Sequence, residues 1–387
     1  MSQEQFPNKI IVKNKITPKI NNLIIANIKI EKKNLLERII NSFDNVKREQ
    51  PNERDWDTMN VTSNENEIKN CEIYINDKKI KFDYFYNFNK EGTYKIKYVF
   101  KKELNSTNFM FYECSALTLI DFSNFISKNV NNMAFMFADC SSLNSLNLLK
   151  FDTSNVVNME YLFTGCESLN VLNVSKFNTK NVTDMGNMFS GCKSLSSLYL
   201  SNFDTRNVLN MAYLFSFCSS LKTLNLSNFD TQNVISMECM FNNCTSLSSI
   251  KISNFNTKNV INMDYMFNSC KALKLLDLTN FNTKNVTNMG CMFDNCNSLY
   301  SLNLSSFNTD NVTDMHGMFT NCYSINKLDL SNFKTQNITD IGQIFKNCYS
   351  LLTLDLSNFN IEHVENKEEM FENCNSLHYR KKNLNKF

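Results

Sequence analysis

Residues 194–218 read SLSSLYLSNFDTRNVLNMAYLFSFC, and two different spacings of apolar side chains lie within them. Leu198 and Leu200 alternate with Ser197, Tyr199 and Ser201, which puts the leucines on one face of a short strand and the polar residues on the other. Val208, Met211, Leu214, Phe215 and Cys218 then fall at the steps of one face of a short helix, with Thr205 and Asn207 placed as its caps. A strand and a helix are therefore expected within one short unit.

The unit recurs without insertion or deletion. Cysteines stand at 114, 140, 166, 192, 218, 244, 270, 296, 322, 348 and 374, each 26 residues after the last. A fixed period of this size marks a solenoid, in which each repeat packs only on its neighbours and cannot fold alone. Strand and helix repeated in one hand give an α/β architecture: a right-handed coil with a parallel sheet on one side and short helices on the other. Ten strands are expected between Leu117 and Leu356. At ~4.8 Å between strands the stack would be roughly 45–50 Å long.

The consensus MF-x-x-C-x-SL-x-x-L-x-L-SNF-x-T-x-NV-x-x-M resembles the BspA-like leucine-rich repeats of bacterial, mycoplasma and protist proteins. Phe137, Cys140, Leu143, Leu146 and Leu148 occupy the motif, as do Phe241, Cys244, Leu247, Ile250 and Ile252. The match covers roughly residues 104–376. The resemblance implies a horseshoe-like solenoid with no catalytic residues and no cofactor, and relatives displayed on cell surfaces as adhesins.

Residues before about Leu104 carry no such repeat and read as a β-rich cap. Ile73 and Ile75, then Ile80, Phe82 and Tyr84, then Tyr94, Ile96, Tyr98 and Phe100 alternate with polar residues, as in a three-strand meander over 71–103. Upstream, residues 1–48 are expected to be β-rich: Leu23–Ile30 reads as a strand, and Leu35–Phe43 fits strand or helix, with strand preferred. The polar stretch 49–70 reads as a linker or loop, and residues 377–387 as a basic tail.

Composition narrows the function. The 387 residues are 42% hydrophobic, so the chain has apolar material for a continuous core. Forty Lys plus Arg oppose 38 Asp plus Glu, with no basic block to neutralise a run of phosphates, so nucleic acid is not an expected partner. The start, MSQEQFPNKI, shows no export signal, and no stretch is apolar enough to span a bilayer. The default location is the cytoplasm; the family resemblance supplies the cell surface as the alternative. A monomer without integral membrane association is expected.

Each conspicuous residue ladder has a structural reading. The cysteines are expected as buried free thiols acting as small apolar residues: stacked equivalents point the same way, and eleven cannot all pair. No C-x-x-C occurs, and the three histidines, His316, His363 and His378, leave no metal set; His316 is expected at the surface. No nucleophile stands with a matched base, so an enzyme is not expected. The phenylalanines from Phe151 to Phe359 read as core. Asn155, Asn181, Asn207 and their equivalents to Asn337 read as amides that satisfy turn backbone. The Asn-Val-Thr sequons at 181, 285 and 311 follow from the repeat itself.

Outward-pointing strand residues form the row Asn147, Asn173, Tyr199, Asn225, Lys251, Asp277, Asn303, Asp329, Asp355. Its stretch from Tyr199 to Asp355 is the expected binding face, polar and flanked by Ser and Thr, suited to a broad contact with a partner protein. If the chain is displayed, the partner would be a surface protein or glycan.

Overall fold

The computed structural model describes residues 22–377 apart from 57 and 357. The first 21 residues, expected as part of a β-rich segment, and the basic tail from 378 lie outside the described residues.

In chain order come β1 (Leu23–Ile30), β2 (Leu35–Arg38), α1 (Phe43–Glu49), α2 (Glu65–Lys69), β3 (Glu72–Ile75), β4 (Lys78–Lys79), β5 (Phe85–Phe88), β6 (Gly92–Val99), β7 (Leu117–Asn124) and β8 (Ser145–Asn147). Two- and three-residue strands such as Thr223–Asn225 and Thr353–Asp355 then follow, one per repeat. One sheet runs β4-β3-β6-β1-β7-β8. Strand β1 is antiparallel to both β6 and β7, while β7 is parallel to β8. The N-terminal sheet thus continues into the strand row of the solenoid and pairs the edge that its first coil would otherwise expose.

The N-terminal segments differ from the pattern-based reading in three places, the first being α2, which lies within the stretch 49–70 expected to be a linker or loop. Leu35–Phe43 divides into β2 and the start of α1, whose N-cap Ser42 accepts from the Asn45 N–H. Ile80, Phe82 and Tyr84 lie outside any strand, because the chain leaves the sheet after β4 and returns as β5, which pairs with β2 in a second small sheet. Phe82 and Tyr84 still pack edge-on, with ring centroids 5.3 Å apart.

Within the repeats the expected helices are replaced. Among the described residues the only α-helices are α1 and α2. Where residues 130–140 and their equivalents were expected to coil, the backbone forms a ribbon of successive tight turns. The N–H groups of Met136, Ala138 and Cys140 bond back to the carbonyls of Met133, Phe135 and Phe137. The N–H groups of Met133, Phe135, Phe137 and Asp139 instead donate forward, to the carbonyls of Asn158, Glu160, Leu162 and Thr164 in the next coil. Residues in the left-handed region make this alternation possible: Phe135 and Asp139 here, Tyr161 and Gly165 one coil on. A helix would keep all those bonds within one coil; the ribbon spends half of them on its neighbour and so locks the stack.

Isolated parallel bridges repeat that lock from Ser106 through Asn132 and Asn158 to Asn366. Between ribbon and strand row lies a continuous core. The rings of Phe137, Phe163, Phe189 and Phe215 stack nearly parallel at 5.6–5.8 Å, and the column continues to Phe371. A buried threonine column joins the coils a third time. Thr205, read from sequence as a helix cap, accepts from the Asp230 N–H and donates to the Asp230 carbonyl, both at 2.8 Å. Position 361 is Ile, so the hydroxyl ladder ends with Thr335.

Candidate functional site

The solenoid presents two long rows, one along the short strands and one along the ribbon. On the strand side, Tyr199, Asn225, Lys251, Asp277, Asn303, Asp329 and Asp355 are all exposed, one per coil, Tyr199 at 74%. Leucines beside them, such as Leu224 and Leu226, are buried, so the alternation holds. Most of the polar members also carry a structural duty. The side-chain oxygens of Asn225, Asp277, Asn303 and Asp329 each accept from the backbone N–H two residues on, at 3.1 Å, and cap the turn that leaves the strand. The hydroxyls of Thr279 and Ser331, and after them these backbone bonds, hold Asp277 and Asp329 below the usual carboxylate range. Asn and Asp recur in this row because the turn selects them. Tyr199 and Lys251 bring side chains that no Asx turn requires.

The ribbon side was not singled out from sequence, and it is chemically more distinct. Its first coils are covered by the loop between α1 and α2. Trp56 packs against Phe43 and Phe109, and the Arg54 guanidinium lies 4.7 Å over the Phe135 ring and 5.6 Å over Tyr161. Phe109, Phe135 and Tyr161 form a stacked column beneath it, at 4.5 and 4.3 Å. Asn108 donates its amide to Thr62 O, while Asn132 and Asn158 both donate to Asn60 O. The loop is therefore held across three successive coils, with Thr62 O on the first and Asn60 O shared by the next two.

Beyond that strap the same rows continue without it. The bridge row proceeds as Asp184, Asn210, Ser236, Asn262, Asn288, Asp314 and Asp340, and the aromatic row supplies Tyr213 and Tyr265. Asn210 and Asn262 turn their amides to Asp184 and Glu238, where their upstream equivalents bonded the strap. The ribbon segments 184–191, 210–217, 236–243, 262–269, 288–295 and 314–321 contain Asp184, Glu238, Asp264, Asp294 and Asp314 and not one Lys or Arg. Burial, then Asp314 and Glu238, push Asp264 up to about 7. Burial, with Asp184 adding and Arg54 opposing, does the same to Glu160. Gly290 admits the crowding: a Cβ there would lie 2.9, 3.2 and 3.4 Å from oxygens of Asp264, Asn288 and Asp314.

The cysteines are free. From Cys140 to Cys374 each ladder thiol donates to a carbonyl of the preceding coil, as Cys244 does to Phe215 O at 3.1 Å, and burial pushes Cys244 up to about 12. Asn155 through Asn337 donate to turn carbonyls one coil back, as their spacing implied. His316 is half-exposed, with Nδ1 3.3 Å from Asp340 Oδ1. Among the described residues no group of three or more His, Cys, Asp or Glu is placed to hold a metal ion, and no helix is long and apolar enough to cross a membrane.

No curated protein matches the sequence. Among solved structures, the chain is similar to TLR13 in its complex with ssRNA13, at 15% identity and a TM-score of 0.23, covering 64% of this chain and 45% of that one. It is also similar to a leucine-rich repeat protein from Eubacterium ventriosum, at 15% identity and a TM-score of 0.27, covering 71% of this chain and 81% of the other. The chain thus spans under half the length of the TLR13 chain, and neither likeness extends to a ligand or a role. The repeats match the family described as Mycoplasma protein of unknown function, DUF285, over residues 105–216, 165–276 and 270–386, and the chain belongs to that family.

Proposed function

We propose that this chain is a non-enzymatic scaffold that binds a partner protein through an extended polar face of its solenoid. One observation carries the reading: every repeat position becomes a straight row of side chains on a stack locked by strand, ribbon and threonine hydrogen bonds. Such a surface is ordered before any partner arrives, so binding has little backbone entropy left to lose. The BspA-like resemblance supports the same reading.

On the strand row, Tyr199 and Lys251 are the side chains proposed to carry contact, with Asn225, Asp277, Asn303, Asp329 and Asp355 shaping the polar ground around them. A photoreactive amino acid at position 199 or 251 is expected to give a discrete adduct with a native partner. Adducts formed only from other faces would move the site. None from any exposed row would remove the scaffold reading itself.

A further inference from the structure

We propose that the uncovered ribbon face, from Asp184 to Asp340, binds an extended basic segment of a partner polypeptide laid along the solenoid axis. The inference rests on the scaffold reading but not on the strand row. Two observations carry it. The first is the chain's own strap, which shows what the ribbon accepts: a polypeptide loop whose backbone carbonyls, Asn60 O and Thr62 O, take the amides of Asn158, Asn132 and Asn108, with a guanidinium over the aromatic column. The second is charge. Under the strap the Arg54 cation offsets the ribbon acids Asp139 and Glu160; past it, amides recur at Asn210 and Asn262 and rings at Tyr213 and Tyr265, interleaved with Asp184, Glu238, Asp264 and Asp314, and the ribbon segments from 184–191 to 314–321 hold no Lys or Arg.

An acidic groove of this kind favours Lys and Arg over neutral side chains, and the tyrosines offer faces to the same cations. Its length is also set. From Asp184 to Asp340 there are six ladder steps, ~29 Å at ~4.8 Å each, which about nine extended residues would span. The segment would continue the line that the strap begins.

The test uses the full chain and fluorescein-labelled synthetic peptides of about nine residues, one alternating Lys with Thr and one alternating Glu with Thr. The Lys peptide is expected to bind, and the Glu peptide to stay free. Replacing Asp184→Asn, Asp264→Asn and Asp314→Asn together should weaken the Lys peptide about tenfold or more, with binding falling as salt rises. Tyr199→Ala with Lys251→Ala should leave it unchanged. Equal binding by the triple variant overturns the proposal, and loss in the strand-row variant transfers the site to the other face. Should the triple variant fail to fold, a photoreactive Lys peptide on the wild-type chain decides: labelling at Tyr213 or Tyr265 supports the groove, and labelling confined to other rows refutes it. Failure of both peptides alongside adducts from positions 199 or 251 would leave the scaffold intact and remove only this groove.

Discussion

Thr257 sits wholly buried, and its hydroxyl does two things at once for the next coil: it accepts from the Asn282 N–H at 2.8 Å and donates to the Asn282 carbonyl at 2.9 Å. Thr257→Val keeps the shape and removes both bonds. Each orphaned backbone group costs about 1–3 kcal/mol, less where water reaches it, and the added methyl returns about 1 kcal/mol, so a net loss of about 1.5–3 kcal/mol is expected. Thr257→Ser keeps both bonds and loses a buried methyl, at a cost of about 1 kcal/mol. Thr257→Asn separates this role from a helix cap. Asn caps helices as well as Thr does, yet it is too large for the slot, so it should be the worst of the three.

Urea unfolding followed by far-UV circular dichroism ranks the variants. The chain's one tryptophan, Trp56, is part of the N-terminal strap, so its fluorescence reports whether the cap unfolds with the middle of the stack. The expected order of stability is wild type, then Ser, then Val, then Asn. A Val variant as stable as wild type would refute the threonine bridge, and a tolerated Asn would restore the helix-cap reading.

Gly165 has φ +68°, and a Cβ there would meet Asp139 Oδ1 in the coil before, so Gly165→Ala should lower stability by about 1–3 kcal/mol in the same urea assay. Native protein treated with iodoacetamide at pH 8 should leave Cys218, Cys244 and Cys270 unmodified by mass spectrometry while the half-buried Cys374 reacts; uniform labelling would mean that the core opens. Asp264 is raised from 3.8 to about 7, chiefly by burial, so its contribution to stability is full below 3.8 and lost as pH climbs through about 7. The upper bound of ~4 kcal/mol is cut by water at this half-buried site to about 1–2 kcal/mol, which Asp264→Asn should recover at pH 8, with the difference vanishing below about pH 4. A variant less stable than wild type at pH 8 would contradict that sign.

The period, the strand leucines, the phenylalanine columns, the buried thiols and the asparagine ladder were all legible, because each is a packing or hydrogen-bonding need that repeats with the chain. The helix was misread for a definable reason. Val208, Met211, Leu214, Phe215 and Cys218 satisfy a helical stripe, yet a ribbon of tight turns also brings every third residue to one side. The distinguishing signal was present one row away. Asp139, Gly165, Gly191, Asn243, Asn295, Asn321, Asn347 and Asn373 share with Glu113, Phe217 and Ser269 a repeat position that the structure holds at positive φ, and Gly, Asn and Asp, eight of the eleven, are the residues that accept it most readily. A helix that demanded a left-handed residue at the same place in successive copies would be no helix.

Function was less legible for a related reason. In the strand row the recurrence of Asn and Asp reflects the turn that follows each strand, so a pattern that looked like a surface is largely a fold requirement. What informs about binding is departure from the repeat: Tyr199 and Lys251 on one face, and on the other the replacement of Asn by Asp at positions 184, 314 and 340 of the bridge row. Both asparagine and aspartate can cap that ribbon turn, as Asn262 and Asp314 each do for the N–H two residues on. The fold is indifferent to the exchange, but the charge is not. Acids line the ribbon both under the strap, at Glu113, Asp139 and Glu160, and beyond it, but only under the strap does Arg54 lie over them, and folding alone gives no reason for the uncompensated charge that follows.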